Sequence, residues 1–297
     1  MTDTPTLGFV GVGVMGEKMC RNLVRKSGRP VIACDKASEP LERLAADGVT
    51  SGSLAEVMAA ADIVFMSLPG EPQVREVVLG ADGLLAHAEA GRIIVDTSTC
   101  PVRLAQEIDA AAREKGVGFL DAPVARGVTA AENGTLNFMV GGAAEDFDKV
   151  RPYLECMGGD ITLCGPAGAG EAAKLCNNMI VVQTVRAIAE ALKMCQESGA
   201  VDGKVLFETL TTGSADSFVL RNHGLKSMLP GTHPARTFPV KYIMKDLGYA
   251  LELARSCGVV MTGAETTMDL LKRTDEMDFG DRYYTILIEA LERADPA

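Results

Sequence analysis

The stretch LGFVGVGVMG at residues 7–16 decides the fold: an apolar run, then Gly11, Gly13 and Gly16 in G-x-G-x-x-G spacing. An apolar run of this length, bounded by glycine, reads as a buried strand, and the segment 17–26 that follows carries helical periodicity. The glycines therefore lie on a strand-to-helix turn, where each has a separate duty. Gly11 permits the tight turn, Gly13 lets backbone approach a pyrophosphate, Gly16 lets helix and strand pack closely, and the helix N-terminus offers N–H groups to an anion. The turn formed by Gly11, Val12, Gly13, Val14, Met15 and Gly16 is thus the expected cofactor cradle, against the bland alternative of a glycine-rich turn with no ligand. A second apolar run at 31–34 leads into Asp35, about 20 residues beyond the last glycine, where a carboxylate accepts hydrogen bonds from ribose hydroxyls. Such a carboxylate repels a 2′-phosphate, so NAD is expected over NADP, while Lys36 beside it keeps NADP open.

Outward from this turn, short apolar runs recur at 7–12, 31–34, 63–68, 93–96, 118–122, 138–141 and 161–164. They read as strands. The segments 17–26, 40–47 and 104–115 between them read as helices that end at Gly28, Gly48 and Gly116, residues suited to helix C-termini. Strand and helix in alternation imply a mainly parallel sheet covered by helices. After Gly165-Pro166-Ala167-Gly168 the strand signal stops. Residues 169–198 form one long helical run, apolar on nearly every face and hence buried between neighbours, interrupted early by Lys174, Asn177 and Asn178. Further helical patterns follow at 202–212, 239–257, 262–277 and 281–294. The division expected is a dinucleotide-binding α/β domain at 1–164 and an all-helical domain at 165–297.

The chain has 297 residues, 47% of them hydrophobic and 23% charged, with 31 Gly and 13 Pro. That is ordinary globular usage, and at roughly 150 residues per domain the length suits two domains. The net charge of −11, without a run of like charges, makes nucleic acid and anionic membrane poor partners. Eight scattered cysteines show neither C-x-x-C nor zinc spacing, so they read as reduced and buried, and no metal site is expected. No basic-then-apolar leader opens the sequence and no stretch has the length of a membrane span, so the expected location is cytoplasmic.

Three further strings carry a resemblance to a known family. Residues 121–142, DAPVARGVTAAENGTLNFMVGG, resemble the substrate-binding signature of the β-hydroxyacid dehydrogenases, the family of 3-hydroxyisobutyrate dehydrogenase and tartronate semialdehyde reductase. Residues 168–178, GAGEAAKLCNN, match that family's catalytic helix, and Lys245-Asp246-Leu247 matches its C-terminal K-D-L. Met15 before Gly16, and Asn22-Leu23 in the next helix, fit the family form of the cofactor turn. The resemblance implies a Rossmann-like, doubly wound α/β domain, a long interdomain helix, and a helical C-terminal domain that completes the cleft and mediates homodimers or homotetramers. The implied reaction is reversible hydride transfer between NAD(P) and a small β-hydroxy acid, whose oxidised partner is an aldehyde acid. It also implies that Lys245 lies near the nicotinamide and the substrate, that Leu68-Pro69 passes backbone along the cofactor, and that Thr97 or Thr99 meets the nicotinamide ribose or amide. The strand-end placement of Leu68, Pro69, Thr97 and Thr99 agrees with where doubly wound sheets collect ligands, though such residues also cap turns.

Chemistry gives independent reasons for the helix residues. Hydride arriving at a carbonyl carbon leaves negative charge on oxygen, which a proton donor must meet. Lys174, isolated in an apolar helix, fits that role, since desolvation lowers a lysine's pKa from about 10.4 towards the operating pH. Asn178 lies four residues on, on the same helix face, and is placed to hold the substrate oxygen. The competing reading of Lys174 is a packed stem whose ammonium reaches water.

The sequence departs from the commonest family form after Asp-Ala-Pro-Val, where Ser-Gly-Gly is replaced by Ala125-Arg126-Gly127. A serine hydroxyl is lost and a guanidinium gained, whose planar fork suits carboxylate, phosphate or sulfonate. An arginine here also resembles the sulfolactaldehyde reductases of the same family. Its bland readings are a solvated loop residue or a partner for Glu132. Arg282 stands where relatives carry an acidic residue. His223 and His233 fall in the polar stretch 221–236, expected as a surface loop, and Phe218 and Phe238 read equally as pocket or core.

The sequence thus points to an NAD(H)-dependent enzyme acting on a small anionic hydroxy acid or aldehyde. Lys174 and Asn178 are its expected catalytic pair, with Ala125, Arg126, Gly127 and Lys245 at the substrate. The alternatives are a reductase for a sulfonate-bearing aldehyde, an imine reductase, which Lys174 argues against, and an NAD(H)-binding protein without turnover.

Overall fold

The computed structural model describes residues 5–235 and 237–291. Two compact units are formed, Met1–Lys174 and Leu175–Ala297, and the change from one to the other falls inside the helix Ala169–Ser198.

The first unit is built on nine strands: β1 Leu7–Val10, β2 Val31–Cys34, β3 Thr50–Ser51, β4 Ile63–Met66, β5 Ile93–Asp96, β6 Gly118–Asp121, β7 Val124–Ala125, β8 Leu136–Gly142 and β9 Gly158–Gly165. Their order is β3-β2-β1-β4-β5-β6-β8-β7, with β9 also paired to β8. From β3 to β6 every pairing is parallel; β8 runs antiparallel to β6 and β7. This is the doubly wound Rossmann arrangement, whose order reverses between β1 and β4, and ligands in such sheets gather at the carboxyl ends of the strands around that point. The strands read as unbroken apolar runs because both faces are covered. Leu7, Phe9, Ile63, Phe65, Ile93, Val95 and Leu120 pack to one side, while Val10, Val64, Met66, Ile94 and Phe119 pack to the other.

Gly28, Gly48 and Gly116 all take positive φ at the ends of helices. The strands β3 and β7 have only two residues each, too short for a periodicity to be read.

The second unit packs helices Gly203–Leu210, Val240–Ser256 and Thr262–Thr274 around the buried side of Ala169–Ser198, through Val182, Val185, Ile188 and Leu192. None of the described helices is long and apolar enough to cross a membrane.

Three expectations are corrected. The stretch 221–236 is not a loop throughout. It begins in a π-helix, Leu220–Met228, because residues from the C-terminal segment clasp it: His223 Nδ1 meets the Tyr283 hydroxyl, His233 Nδ1 lies 2.8 Å from Thr285 Oγ1, and Arg282 Nε donates to the His233 carbonyl at 2.8 Å. His233 is buried in consequence. The helix expected at 281–294 is replaced by bridge-like pairing of Arg282 and Tyr283 with Ala235 and Pro239, then a short 3-10 helix, Tyr284–Ala290; residues 292–294 lie outside the described ones. The eight cysteines are all free, yet Cys164, Cys176 and Cys257 are exposed rather than buried. Phe238 packs partly buried against Tyr242 and Tyr284, whereas Phe218 is exposed.

The clasp has a pH consequence. Burial pushes His223 down to about 4, against about 6.5 in an unfolded chain. Between those values the unfolded chain takes up a proton that the folded one refuses, so stability falls as pH drops from 6.5 to 4 and the loss levels off below. The expected loss is on the order of 2–3 kcal/mol. Urea midpoints of wild type and His223→Gln across this range measure it, and the variant's curve should be flatter by that amount.

Candidate active site

The glycine turn leaves β1 at the point where the sheet order reverses, and the three glycines differ as their proposed duties require. Gly11 adopts φ +83°, and a Cβ there would overlap the Ser67 carbonyl. A Cβ on Gly16 would overlap the Gly11 carbonyl, so helix and strand approach as closely as backbone allows. A Cβ on Gly13 would meet nothing within 4 Å. Gly13 borders open space while its neighbours are locked, which is the shape a pyrophosphate needs for close approach to backbone. Val12 is buried, Met15 packs against the core, and Val14 is exposed.

Asp35, at the end of β2, accepts the Val12 N–H at 2.7 Å through Oδ2 and the Ala37 N–H at 2.8 Å through Oδ1. It thereby pins the glycine turn to the second strand. A carboxylate offers about four acceptor positions, so two remain for hydroxyl donors. Lys36 points instead towards Glu76, 3.8 Å away.

The loops after β4 and β5 are joined to each other. Ser98, between the two threonines singled out from the sequence, accepts the Leu68 N–H on Oγ at 2.9 Å. The Thr97 hydroxyl is buried and donates to the Met66 carbonyl at 2.7 Å. It therefore has a structural duty that sequence does not separate from ligand binding. Thr99 is half-buried and Pro69 exposed.

Arg126 takes a left-handed conformation, φ +87°. Its partner is not Glu132: Nη2 lies 2.5 Å from Asp160 Oδ2 and Nη1 donates to the Thr135 carbonyl at 3.2 Å. Gly127 also has positive φ and opens the short helix Gly127–Asn133, which Asn22 ties to the helix after the glycine turn by donating to the Ala131 carbonyl at 2.8 Å.

Asp121, the first residue of the quoted D-A-P-V string, is buried at the start of the long helix and accepts the N–H groups of Gly168 at 2.7 Å and Glu171 at 2.8 Å. Burial pushes its pKa up, opposed by those donors. Lys174, on the next turn, is only 8% exposed.

In the second unit, the helix string N-N and the string K-D-L meet. Asn178 Nδ2 donates to Asp246 Oδ2 at 2.6 Å, and Asn177 Nδ2 donates to Asn178 Oδ1 at 3.0 Å. Lys245 Nζ lies 2.9 Å from Asp246 Oδ1 and 4.9 Å from the centre of the Tyr249 ring. Asn177 thus braces the side chain of its neighbour. Asp246, 2% exposed, fixes which way the Asn178 amide points. Replacing Asp246 by Ala strips a buried amide of a charged acceptor and should cost about 2 kcal/mol of stability, measured by urea midpoint, with Asp246→Asn recovering part of it.

Comparison with known proteins gives the following. Residues 6–165 match the family model described as the NAD binding domain of 6-phosphogluconate dehydrogenase, and residues 168–291 match that described as NAD-binding of NADP-dependent 3-hydroxyisobutyrate dehydrogenase. An NAD-dependent L-serine dehydrogenase of Pseudomonas aeruginosa is 33% identical, over 95% of this chain and 96% of its own. The 2-hydroxy-3-oxopropionate reductase of Escherichia coli is also 33% identical, over 96% and 97%. A solved structure of Mycobacterium tuberculosis 3-hydroxyisobutyrate dehydrogenase with L-serine superimposes with a TM-score of 0.88 at 33% identity, covering 98% of this chain and 100% of that one.

Proposed function

This chain belongs to the β-hydroxyacid dehydrogenase family, and from that premise we propose that it interconverts a small anionic β-hydroxy acid and its aldehyde with NAD(H), NADP(H) being the lesser cofactor. The observation that carries this reading is Asn178, its amide held by the buried Asp246, four residues beyond the buried Lys174 on one helix.

The nicotinamide, when bound, supplies or takes up the hydride. Gly13 backbone and the helix N-terminus would receive the cofactor's pyrophosphate. Asp35 receives the ribose hydroxyls on its remaining acceptor positions and disfavours a 2′-phosphate by charge. Leu68, Pro69 and Thr99, at the strand ends, would border the cofactor. Lys174 as ammonium gives its proton to the oxygen that gains charge on reduction, and as neutral amine removes it on oxidation. The second N–H of Asn178 Nδ2, left over from the bond to Asp246, orients the same oxygen. Backbone N–H groups of Ala125, Arg126 and Gly127, rather than the Arg126 side chain, would hold the acid end.

The pairing of Arg126 with Asp160 favours the carboxylate reading over the sulfonate one, because the guanidinium on which the sulfonate reading rests is already engaged. Assembly as a homodimer or homotetramer is part of the reading, supported by Ile180 and Met194 exposed on the long helix, and sedimentation measures it. The function is tested by initial rates of NADH oxidation with succinic semialdehyde and with sulfolactaldehyde, and of NAD reduction with 3-hydroxyisobutyrate and L-serine. Rates on carboxylates little changed by Arg126→Ala support it. A rate on the sulfonate alone, abolished by Arg126→Ala, would replace it with the sulfonate reading, and NADH binding without any rate would leave a binding protein.

A further inference from the structure

Behind the start of the long helix lies a group of buried acids that the mechanism above does not use. A carboxylate oxygen of Asp96 at the end of β5, the Cys100 thiol and a carboxylate oxygen of Glu171 all lie within 4.8 Å of one another, and Asp96 and Glu171 are 2% and 0% exposed. Asp121 adds a third buried carboxyl, which accepts the Glu171 N–H. The Cys100 N–H points at Glu171 Oε1 from 3.0 Å and the Ser98 N–H at Asp96 Oδ1 from 2.9 Å. Backbone donors aimed at two of the three groups suit carboxyls rather than a bound cation, which such donors repel.

We propose that Glu171 carries a proton at neutral pH and, in that neutral form, serves as a positioning residue for Lys174, three residues further along the same helix. Charge decides which acid keeps the proton. Asp121 already occupies the helix N-terminus, taking the Gly168 and Glu171 N–H groups, so the favourable place for one anion at the helix end is filled. Asp96 and Glu171 each receive one backbone N–H, and Asp96 has the lower intrinsic pKa of the Asp–Glu pair. Two carboxyls this close and this dry do not both ionise, and the proton stays on Glu171. Among the titratable groups near Glu171 are Asp96 from β5 and Cys100 from the loop after it, with Asp121 from β6 at its backbone N–H and Lys174 three residues on along its own helix. Were Glu171 charged, an anion one turn before Lys174 would stabilise the ammonium and move its proton transfer to higher pH. A neutral Glu171 leaves Lys174 able to change protonation near the working pH. The functional half of this inference rests on the assignment of Lys174 as the proton donor; the protonation of Glu171 does not.

The test separates the two. In protein labelled with carbon-13 at the glutamate side-chain carboxyl, the nuclear magnetic resonance spectrum at pH 7 should show one glutamate at the shift of a neutral acid, absent in Glu171→Gln. A spectrum in which every glutamate is ionised at pH 7 overturns the proposal, and it needs neither turnover nor a folded variant. On the kinetic side, the pH at which kcat declines in the alkaline range should stay in place in Glu171→Gln, because glutamine mimics the neutral acid. A shift of that midpoint to lower pH by about one unit would mean that a charge had been removed, and would overturn it as well.

Discussion

Lys174→Ala should lower kcat by roughly 10²- to 10⁴-fold, the range that one positioned general acid contributes, while NADH binds as before. The binding half of this expectation follows from where the proposed cofactor contacts lie. The glycine turn, Asp35 and the loops after β4 and β5 are held by hydrogen bonds among themselves, such as Val12 N–H to Asp35 and Leu68 N–H to Ser98, and none of these bonds passes through Lys174. Lys174 is buried, so truncation also leaves a small cavity. Lys174→Met keeps the volume and removes only the amine. If both variants lose kcat equally and keep NADH affinity, the loss is chemical. Initial rates together with NADH fluorescence titration decide the matter, and a variant that turns over within a few fold of wild type removes Lys174 from the mechanism.

The second large effect is a contrast between two glycines three residues apart. Gly16→Ala should destabilise the protein by about 3 kcal/mol or more, because its Cβ would overlap the Gly11 carbonyl and backbone cannot step aside cheaply. Gly13→Ala should leave stability within about 0.5 kcal/mol, since its Cβ enters empty space. On the proposed placement of the pyrophosphate that same methyl group stands in its way, so Gly13→Ala should weaken NADH by about tenfold or more. Urea midpoints and NADH titrations on the two variants give four numbers that must fall in this crossed pattern. Equal NADH affinity in Gly13→Ala and wild type would mean that the open face beside Gly13 is not the phosphate site.

Much of this was legible because the informative residues obey strong local rules. The G-x-G-x-x-G turn, Asp35 after the second strand and the long apolar helix announce themselves by spacing, and the parallel sheet follows from apolar runs separated by helix-length segments. The family strings 121–142 and 168–178 pointed to the neighbourhoods that hold Asp121 and Lys174. What sequence could not deliver was pairing across distance. Nothing local tells that Asp246 orients Asn178, that Ser98 rather than Thr97 joins two loops, or that Arg126 spends its guanidinium on Asp160. The stretch 221–236 looked like a loop because its polar residues were read without the partners that bury them. His223 and His233 are enclosed by Tyr283, Thr285 and Arg282, more than 45 residues later. Glu171 was visible inside the string GAGEAAKLCNN, but its burial beside Asp96 is a property of the fold alone.

The most direct test of the central claim is the fate of the hydride. With NADH carrying deuterium at the transferable position of the nicotinamide and an aldehyde acid such as succinic semialdehyde, wild-type enzyme should deliver deuterium to the carbinol carbon of the hydroxy acid, seen by mass spectrometry, and Lys174→Met should deliver it at least about a hundredfold more slowly. Product that forms without deuterium, or forms at the same rate in the variant, would contradict hydride transfer assisted by Lys174.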